Sequence, residues 1–578
     1  MQTHKRPNNP FTIAFLIFLL TVICASEGFS EKHTKNAKVD QISEKTSISG
    51  NYLAGRHAQA VKDISKATLY FSKALDLSPS SQSLLQRTFL LMASEGRINK
   101  AIPLAHKVLV QNSKAPIANL TVIASDIHLN QFMRAKKKIK SLPAGGLNQY
   151  IAPLLSAWAS IAQGKDVQAA ITNLAPLKQE SSKPLFYLHK AILLDFKGYH
   201  EESVKAYLQA IKEQGSVVLR VAQLLGNLYE RKGNINKARA LYQKFAQDNP
   251  NSFLSHQALK RLDAGANPKP IISKVKHGFA ESFLGIATSL SQQNAQQMAL
   301  FYARIGLYLR PDFPVMKILV SNLLQLDGQL ENANAILLSI DKTSIYSWPA
   351  RLNAAEIWSD LKRIDKAIKI LNFMANEEPK LTDALRSLGD ILRVSKRFLE
   401  AQKAYDKAIS RIDDLRSHHW VLLYARGITL ERTNQWSRAE ADFLKALELN
   451  PDQPSVLNYL GYSWVDQGVK LDRAKKMIQK AVNLRPNDGY IVDSLGWAYF
   501  KLGEFANSVK EMERAVELKP EDPVLNDHLG DALWRVGRKI EARYQWNRAL
   551  VLKPEDSLRA QINKKLANGL PRIPVKHD

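Results

Sequence analysis

A spacing of 34 residues governs this sequence. A short phrase returns along it as Asp63-Ile64-Ser65-Lys66-Ala67, Arg97-Ile98-Asn99-Lys100-Ala101, Asn234-Ile235-Asn236-Lys237-Ala238 and Arg363-Ile364-Asp365-Lys366-Ala367. Taking its closing small residue as a marker gives Ala67, Ala101, Ala135, Ala169 and Ser203, each 34 from the last, then Ala238 after 35. After a gap of 61 the series resumes at Ala299, Ala333, Ala367 and Ala401 and continues through Ala439, Ala474, Ser508 and Ala542. Fourteen markers held in phase describe a row of stacked supersecondary units, not one closed core.

Each unit reads as two helices. Upstream of the marker lies an amphipathic segment, as in Val221 to Lys232, with apolar residues at helical spacing. A glycine often stands five residues before the marker and ends that helix: Gly96, Gly164, Gly198, Gly233, Gly328, Gly503 and Gly537. The second helix runs from the marker, with an aromatic four on and a small residue seven on, as in Ala67, Phe71 and Ala74 or Ala439, Phe443 and Ala446. Proline twelve on closes it at Pro79, Pro250, Pro311, Pro379, Pro451, Pro486, Pro520 and Pro554. Small residues let helices approach, and the aromatic fills the space left between neighbouring pairs.

On these residues the chain resembles the tetratricopeptide-repeat family. Leu225-Gly226, Tyr229, Ala238, Tyr242 and Pro250 carry the whole pattern. So do Leu495-Gly496, Tyr499, Ser508, Ala515 and Pro520, and Leu529-Gly530, Ala542, Ala549 and Pro554. The likeness covers most of residues 48–555 and is strongest in the C-terminal third. It implies an all-α fold, an α-α superhelix of about fourteen helix pairs in two arrays, whose work is to bind other proteins. The phrases Asp493-Ser494-Leu495-Gly496-Trp497-Ala498-Tyr499 and Asp527-His528-Leu529-Gly530-Asp531 further resemble bacterial envelope repeat proteins. Some of those are adaptors for carboxy-terminal-processing proteases.

The ends and interruptions set the organisation. Lys5 and Arg6 precede the uncharged apolar run Phe11 to Ala25, and small residues follow at Ser26 and Gly28. The run falls short of the roughly 20 apolar residues of a membrane span, so residues 1–25 read as a signal peptide. Cleavage after Ala25 or Gly28 is expected, with export to the periplasm or cell envelope. An uncleaved anchor ranks second. Acylation of Cys24 ranks third, because bulky Ile23 precedes it where a small residue is needed. Residues 26–47 read as a flexible leader, 48–264 as a first array, 265–277 as a linker around Pro268 and Pro270, and 278–555 as a second array. Residues 556–578 read as a capping helix, with Leu558, Ile562 and Leu566 on one face, and a tail.

Composition narrows the function by exclusion. Cys24 is the sole cysteine, so after it there are no disulfides, thiolate zinc sites or cysteine nucleophiles. No phosphate-binding glycine loop, HExxH or dinucleotide fingerprint occurs. Gly461-Tyr462-Ser463-Trp464-Val465 begins like a nucleophile elbow but lacks the closing glycine and sits in a repeat helix. His418-His419 is too small a set for a metal and reads as surface loop. No catalytic, metal-binding or cofactor-binding residues are assigned. The net charge of +27 makes anionic envelope polymers eligible partners. Its lysines are spread along the chain, with one dense block at Lys136 to Lys140, so specific nucleic-acid binding is not expected.

A binding surface is expected on the concave face of the last three repeats. In a repeat solenoid the first helix of each pair faces inward, which selects Asn458, Tyr462 and Asp466, then Tyr490, Asp493, Trp497 and Phe500, then Asp527, Asp531, Trp534 and Arg535. Aromatics flanked by Asp and Arg offer large apolar contact with polar tips that fix register. The bland alternative is that they pack as core between adjacent helices. The expected function is an exported scaffold or adaptor that holds protein partners in its groove, an envelope protease among the candidates. The alternative is a component of envelope polysaccharide or peptidoglycan assembly.

Overall fold

Left-handed backbone turns divide the chain at the repeat interval. The computed structural model describes residues 47–249, 253–265 and 267–571. The signal-peptide reading, nearly all of the leader, Pro250 and the tail from residue 572 lie outside the described residues. Within them, the residue five before the marker has positive φ at Lys62, Gly96, Asn130, Gly164, Gly198, Gly233, Asn294, Gly328, Lys362, Lys396, Asn434, Gly503 and Gly537, and before Ala474 the turn falls at Gly468 and Lys470 instead. Where sequence offers no glycine, asparagine or lysine takes the same left-handed turn, and the tight connection outweighs the steric cost.

The helices pair across these turns. The first six pairs are α1 (Ile48–Ala60) with α2 (Ile64–Leu77), α3 (Gln82–Ser94) with α4 (Ile98–Gln111), α5 (Pro116–His128) with α6 (Phe132–Lys140), α7 (Asn148–Ala162) with α8 (Val167–Asn173), α9 (Lys183–Phe196) with α10 (His200–Gln214), and α11 (Leu219–Arg231) with α12 (Ile235–Asp248). A single helix, α13 (Phe253–Asp263), follows. Eight further pairs are α14 (Val275–Gln292) with α15 (Gln296–Leu309), α16 (Pro314–Leu326) with α17 (Leu330–Leu338), α18 (Ser347–Asp360) with α19 (Ile364–Glu377), α20 (Asp383–Val394) with α21 (Phe398–Ile409), α22 (Trp420–Arg432) with α23 (Trp436–Leu449), α24 (Pro454–Asp466) with α25 (Leu471–Leu484), α26 (Gly489–Lys501) with α27 (Phe505–Leu518), and α28 (Pro523–Arg535) with α29 (Lys539–Val551). Helix α30 (Asp556–Asn568) closes the array. No strand occurs among the described residues, so the fold is an all-helical repeat array of fourteen pairs.

Five of the pairs are locked by a glycine against a large residue. A Cβ added at Gly226, Gly389, Gly427, Gly496 or Gly530 would collide with Tyr242, Tyr405, Phe443, Met512 or Trp546, the residue four past that pair's own marker. The ring therefore fills the gap inside a pair, between its two helices, where the sequence reading placed it between neighbouring pairs. The markers themselves are fully buried at Ala67, Ala101, Ala135, Ala238, Ala439 and Ala542. One marker shifts by a residue: Ala170 is buried in the fourth pair and Ala169 is half-exposed, because the turn there is longer and Asp166 caps α8 by accepting from the Ala169 amide.

The chain then doubles back on itself. Helix α14 packs against α7 and α9, and α15 against α3, α4 and α5. A Cβ at Gly278 would overlap the Trp158 indole, so α14 meets α7 at backbone distance. Phe279 stacks on Phe132 at 6.2 Å and Tyr308 on His128 at 4.4 Å. Arg304 Nε donates to the Ser94 carbonyl and Lys276 Nζ to the His128 carbonyl, each capping the end of a first-array helix. Arg220 on α11 donates to both oxygens of Glu281 at 2.7 and 2.6 Å, both side chains being nearly sealed from solvent. A single apolar cluster consequently runs from Ala58 to Ile357. A row of stacked repeats is expected to touch only its neighbours and to leave its inner face free, and the structure departs from that: over α3 to α11 the face is occupied by α14 and α15.

Candidate binding groove

Beyond α17 the helices pack on their nearest neighbours, apart from the ion pair of Lys260 on α13 with Glu378 at the end of α19, 2.8 Å long. From α18 to α29 the first helices of successive pairs lie side by side, as α18 with α20, α20 with α22, α24 with α26 and α26 with α28. Their side chains form a continuous face. Arg386 and Arg393 flank Asp390, which also accepts from Tyr405 Oη at 2.8 Å. Farther along, Arg426 bridges Asp406 and Asp442, and Tyr459 donates to Glu431 at 3.1 Å. Tyr424, Phe443 and Tyr459 form one aromatic cluster with ring centroids 5.2–6.0 Å apart.

Toward the C-terminus lie the residues singled out in the sequence. Trp497 and Phe500 are half-buried and stack in parallel at 4.9 Å. His528 lies against the other part of the stack, 4.3 Å from the Trp497 ring, and contacts Asp493 through Nδ1 at 2.9 Å. The Lys501 ammonium stands 5.7 Å from the Trp497 centroid. Trp497 Nε1 is buried with no acceptor among the described residues, as is Asn458 Oδ1 with no donor. Tyr462 is half-buried, and burial together with Asp466 and Asp493 pushes its hydroxyl up to about 12. Tyr490 is exposed, with Lys519 Nζ 5.6 Å from its ring.

The other four residues are engaged by the chain's own C-terminus. Lys565 on α30 donates to Asp527 Oδ2 and Asp531 Oδ2, each at 2.7 Å, and Asp531 Oδ1 accepts from Trp546 Nε1 at 2.9 Å. Trp534 covers Gly569, and Arg535 Nη1 donates to the Pro571 carbonyl. The capping helix therefore reaches across the inner face of the last pair as well as over its end. Tyr462, Trp497 and Phe500, with Asp493 held behind them, are left as the half-open part of the groove. His528 was missed as a member. The 34-residue register does not select it, since its counterpart one unit back is Ser494.

The His528–Asp493 contact has a pH consequence. Burial alone would lower the imidazole, but the Asp493 charge and hydrogen bond outweigh it and hold His528 above 6.5. A folded pKa above the unfolded one contributes stability that is full below the ordinary histidine value. That stability is lost as pH rises through the raised folded value. Thermal unfolding across this range is expected to show a fall that His528→Gln removes. An identical pH profile in the variant would dismiss the pair.

Sequence comparison then decides the family. The tetratricopeptide repeat family matches at residues 223–252, 420–453 and 493–522, the pairs α11–α12, α22–α23 and α26–α27. The chain is a tetratricopeptide-repeat protein. A tetratricopeptide-repeat-containing protein of Pseudomonas aeruginosa is 28% identical over 162 residues, which cover 28% of this chain and 27% of that protein. One from Methanocaldococcus jannaschii is 23% identical over 429 residues, 72% of this chain and 66% of that one. The alignments thus span about a quarter of the first relative and just under two thirds of the second. Among solved structures, a tetratricopeptide repeat protein from Parabacteroides merdae superimposes with a TM-score of 0.37 at 16% identity, covering 44% of this chain and 99% of its own. Among the described residues no group of three or more His, Cys, Asp or Glu side chains is placed to hold a metal ion. None of their helices is long and apolar enough to cross a membrane.

Proposed function

We propose that this chain is an exported scaffold that holds protein partners on the inner face of α18 to α28, with Trp497 as its principal contact. Tetratricopeptide repeats serve as protein-interaction scaffolds, which supports the coarse reading. The observation that favours this part of the array is the unpaired Trp497 indole N–H, set in a half-open aromatic stack. A partner's apolar surface would cover Trp497, Phe500 and Tyr462, the buried N–H taking an acceptor only where the stack opens. The basic N-terminal run supports export to the periplasm or envelope, and an envelope protease is the proposed partner. The net charge of +27 favours, as a second reading, contact with anionic envelope polymers in cell-wall or polysaccharide assembly.

One experiment addresses both location and groove. The tagged full chain is recovered from its native host with its partners, and its N-terminus is sequenced. Cleavage after Ala25 or Gly28 is expected, and Trp497→Ala is expected to weaken partner retention by about 2 kcal/mol while leaving helicity unchanged. Retention equal to wild type would reject the groove, and an intact Met1 on soluble cytoplasmic protein would reject export. Partner loss on adding salt, with no effect of Trp497→Ala, would favour the polyanion reading.

A further inference from the structure

The return of α14 and α16 toward α11 to α13 encloses a cavity of about 410 Å³, within the size range of small-molecule sites. One wall is apolar, from Phe313, Ile271, Val315 and Phe245. The opposite chemistry comes from Arg310, whose guanidinium lies 4.6 Å from the Phe313 ring, with Arg220 also 5.5 Å from that ring.

These two arginines differ in one respect. Arg220 is neutralised by both oxygens of Glu281, and Arg261 at the far wall is neutralised by Glu230 at 2.6 Å. Arg310 has only a long, solvent-screened partner. Its nearest carboxylate is Asp312 at 3.5 Å, a side chain largely in solvent, while only 11% of the Arg310 side chain is exposed. Arg310 Nε and Nη1 are buried without an acceptor among the described residues, and so is Nε2 of Gln223, which lines the same cavity. Buried donors without acceptors are costly, and a buried unpaired cation more so. Burial and the neighbouring Arg220 push the Arg310 guanidinium down from its ordinary value, and burial with Arg310 and Lys274 holds His277 down to about 4. A second cavity of about 600 Å³ shares His277, Arg310 and Asp312 and adds Lys274 and Lys276, so the approach is basic as well.

We propose that this cavity binds a free organic acid, its carboxylate received by Arg310 and its apolar body lying against Phe313 and Ile271. The anion supplies the countercharge that Glu281 and Glu230 supply to the other two arginines. The apolar wall gives preference to an acid with a hydrophobic body over a bare inorganic anion. The site is independent of the proposed protein groove, which begins beyond α17.

The test is isothermal titration of the full chain with three probes: 3-phenylpropionate, its neutral isostere 3-phenylpropanamide, and inorganic phosphate. The acid is expected to bind at least tenfold tighter than either of the others, and Arg310→Gln to weaken it at least tenfold. Arg310→Gln is expected to melt close to wild type, since the only ion pair it removes is the long, solvent-exposed one to Asp312. Gln223→Met serves as a second variant and is expected to weaken the acid without unfolding the chain. The proposal is overturned if the acid fails to bind, if amide or phosphate binds as tightly, or if Arg310→Gln retains wild-type affinity.

Discussion

Replacing Lys565 with methionine is expected to destabilise the C-terminal end by about 3–5 kcal/mol, because it leaves two buried carboxylates facing each other without their cation. Asp527 and Asp531 are 3% and 5% exposed and share the one ammonium. Burial, and then the Asp527 charge, already hold the Asp531 carboxyl above its ordinary range. Without Lys565 one of the two carboxyls will take up a proton on folding. A carboxyl whose folded pKa lies above its unfolded one stabilises the folded state more as pH falls. The variant should therefore recover more stability in acid than wild type, in which Lys565 opposes the rise of the Asp531 carboxyl. Hydrogen exchange over α28 to α30 locates the effect, and unchanged protection there would show that α30 does not depend on this contact.

Glu281→Ala is the counterpart in the N-terminal part of the array. It strands the Arg220 guanidinium between α11 and α14, and the expected loss is again about 3–5 kcal/mol. Because Glu281 sits on the helix that fills the inner face, the damage should extend beyond one pair. Thermal unfolding is expected to shift for the whole segment α3 to α16, and proteases to cut within 267–274, where the chain is irregular. The double variant Arg220→Met with Glu281→Leu should restore most of the loss, since apolar residues can replace a buried pair without stranding a charge. A single variant as stable as wild type would mean that Arg220 finds another partner.

The pairing of helices was legible because every term that fixes it is local. A left-handed turn five residues before the marker, a glycine facing a ring and a proline at the exit are all spaced within one unit of about 34 residues. Even so, the slip from Ala169 to Ala170 escaped, since two adjacent alanines leave the register to the length of the preceding turn. The inward docking of α14 and α15 was not legible from repeat spacing, because it joins residues 61 to 210 positions apart. Its trace in the sequence is the run Phe279-Ala280, Phe283-Leu284, Ile286-Ala287, in which apolar residues surround the helix and leave no solvent stripe. In the groove, the selection of inner-face positions by register found Trp497 and Phe500. It could not foresee that Lys565 and Gly569 would close over Asp531 and Trp534, since nothing in the repeat pattern says where a terminal helix turns.

The doubling back of α14 and α15 divides the array by the way it comes apart. Repeats that touch only their neighbours can fray singly from a free end, each release costing one interface. The pairs from α20 onward are built that way. The earlier ones are not: α3, α5, α7, α9 and α11 are all stapled by α14 and α15, so none can leave while that central pair stays. Pulled from its C-terminus, the molecule would pay out as a beaded thread down to about α20 and then hold as a knot-free plug that yields in a single event.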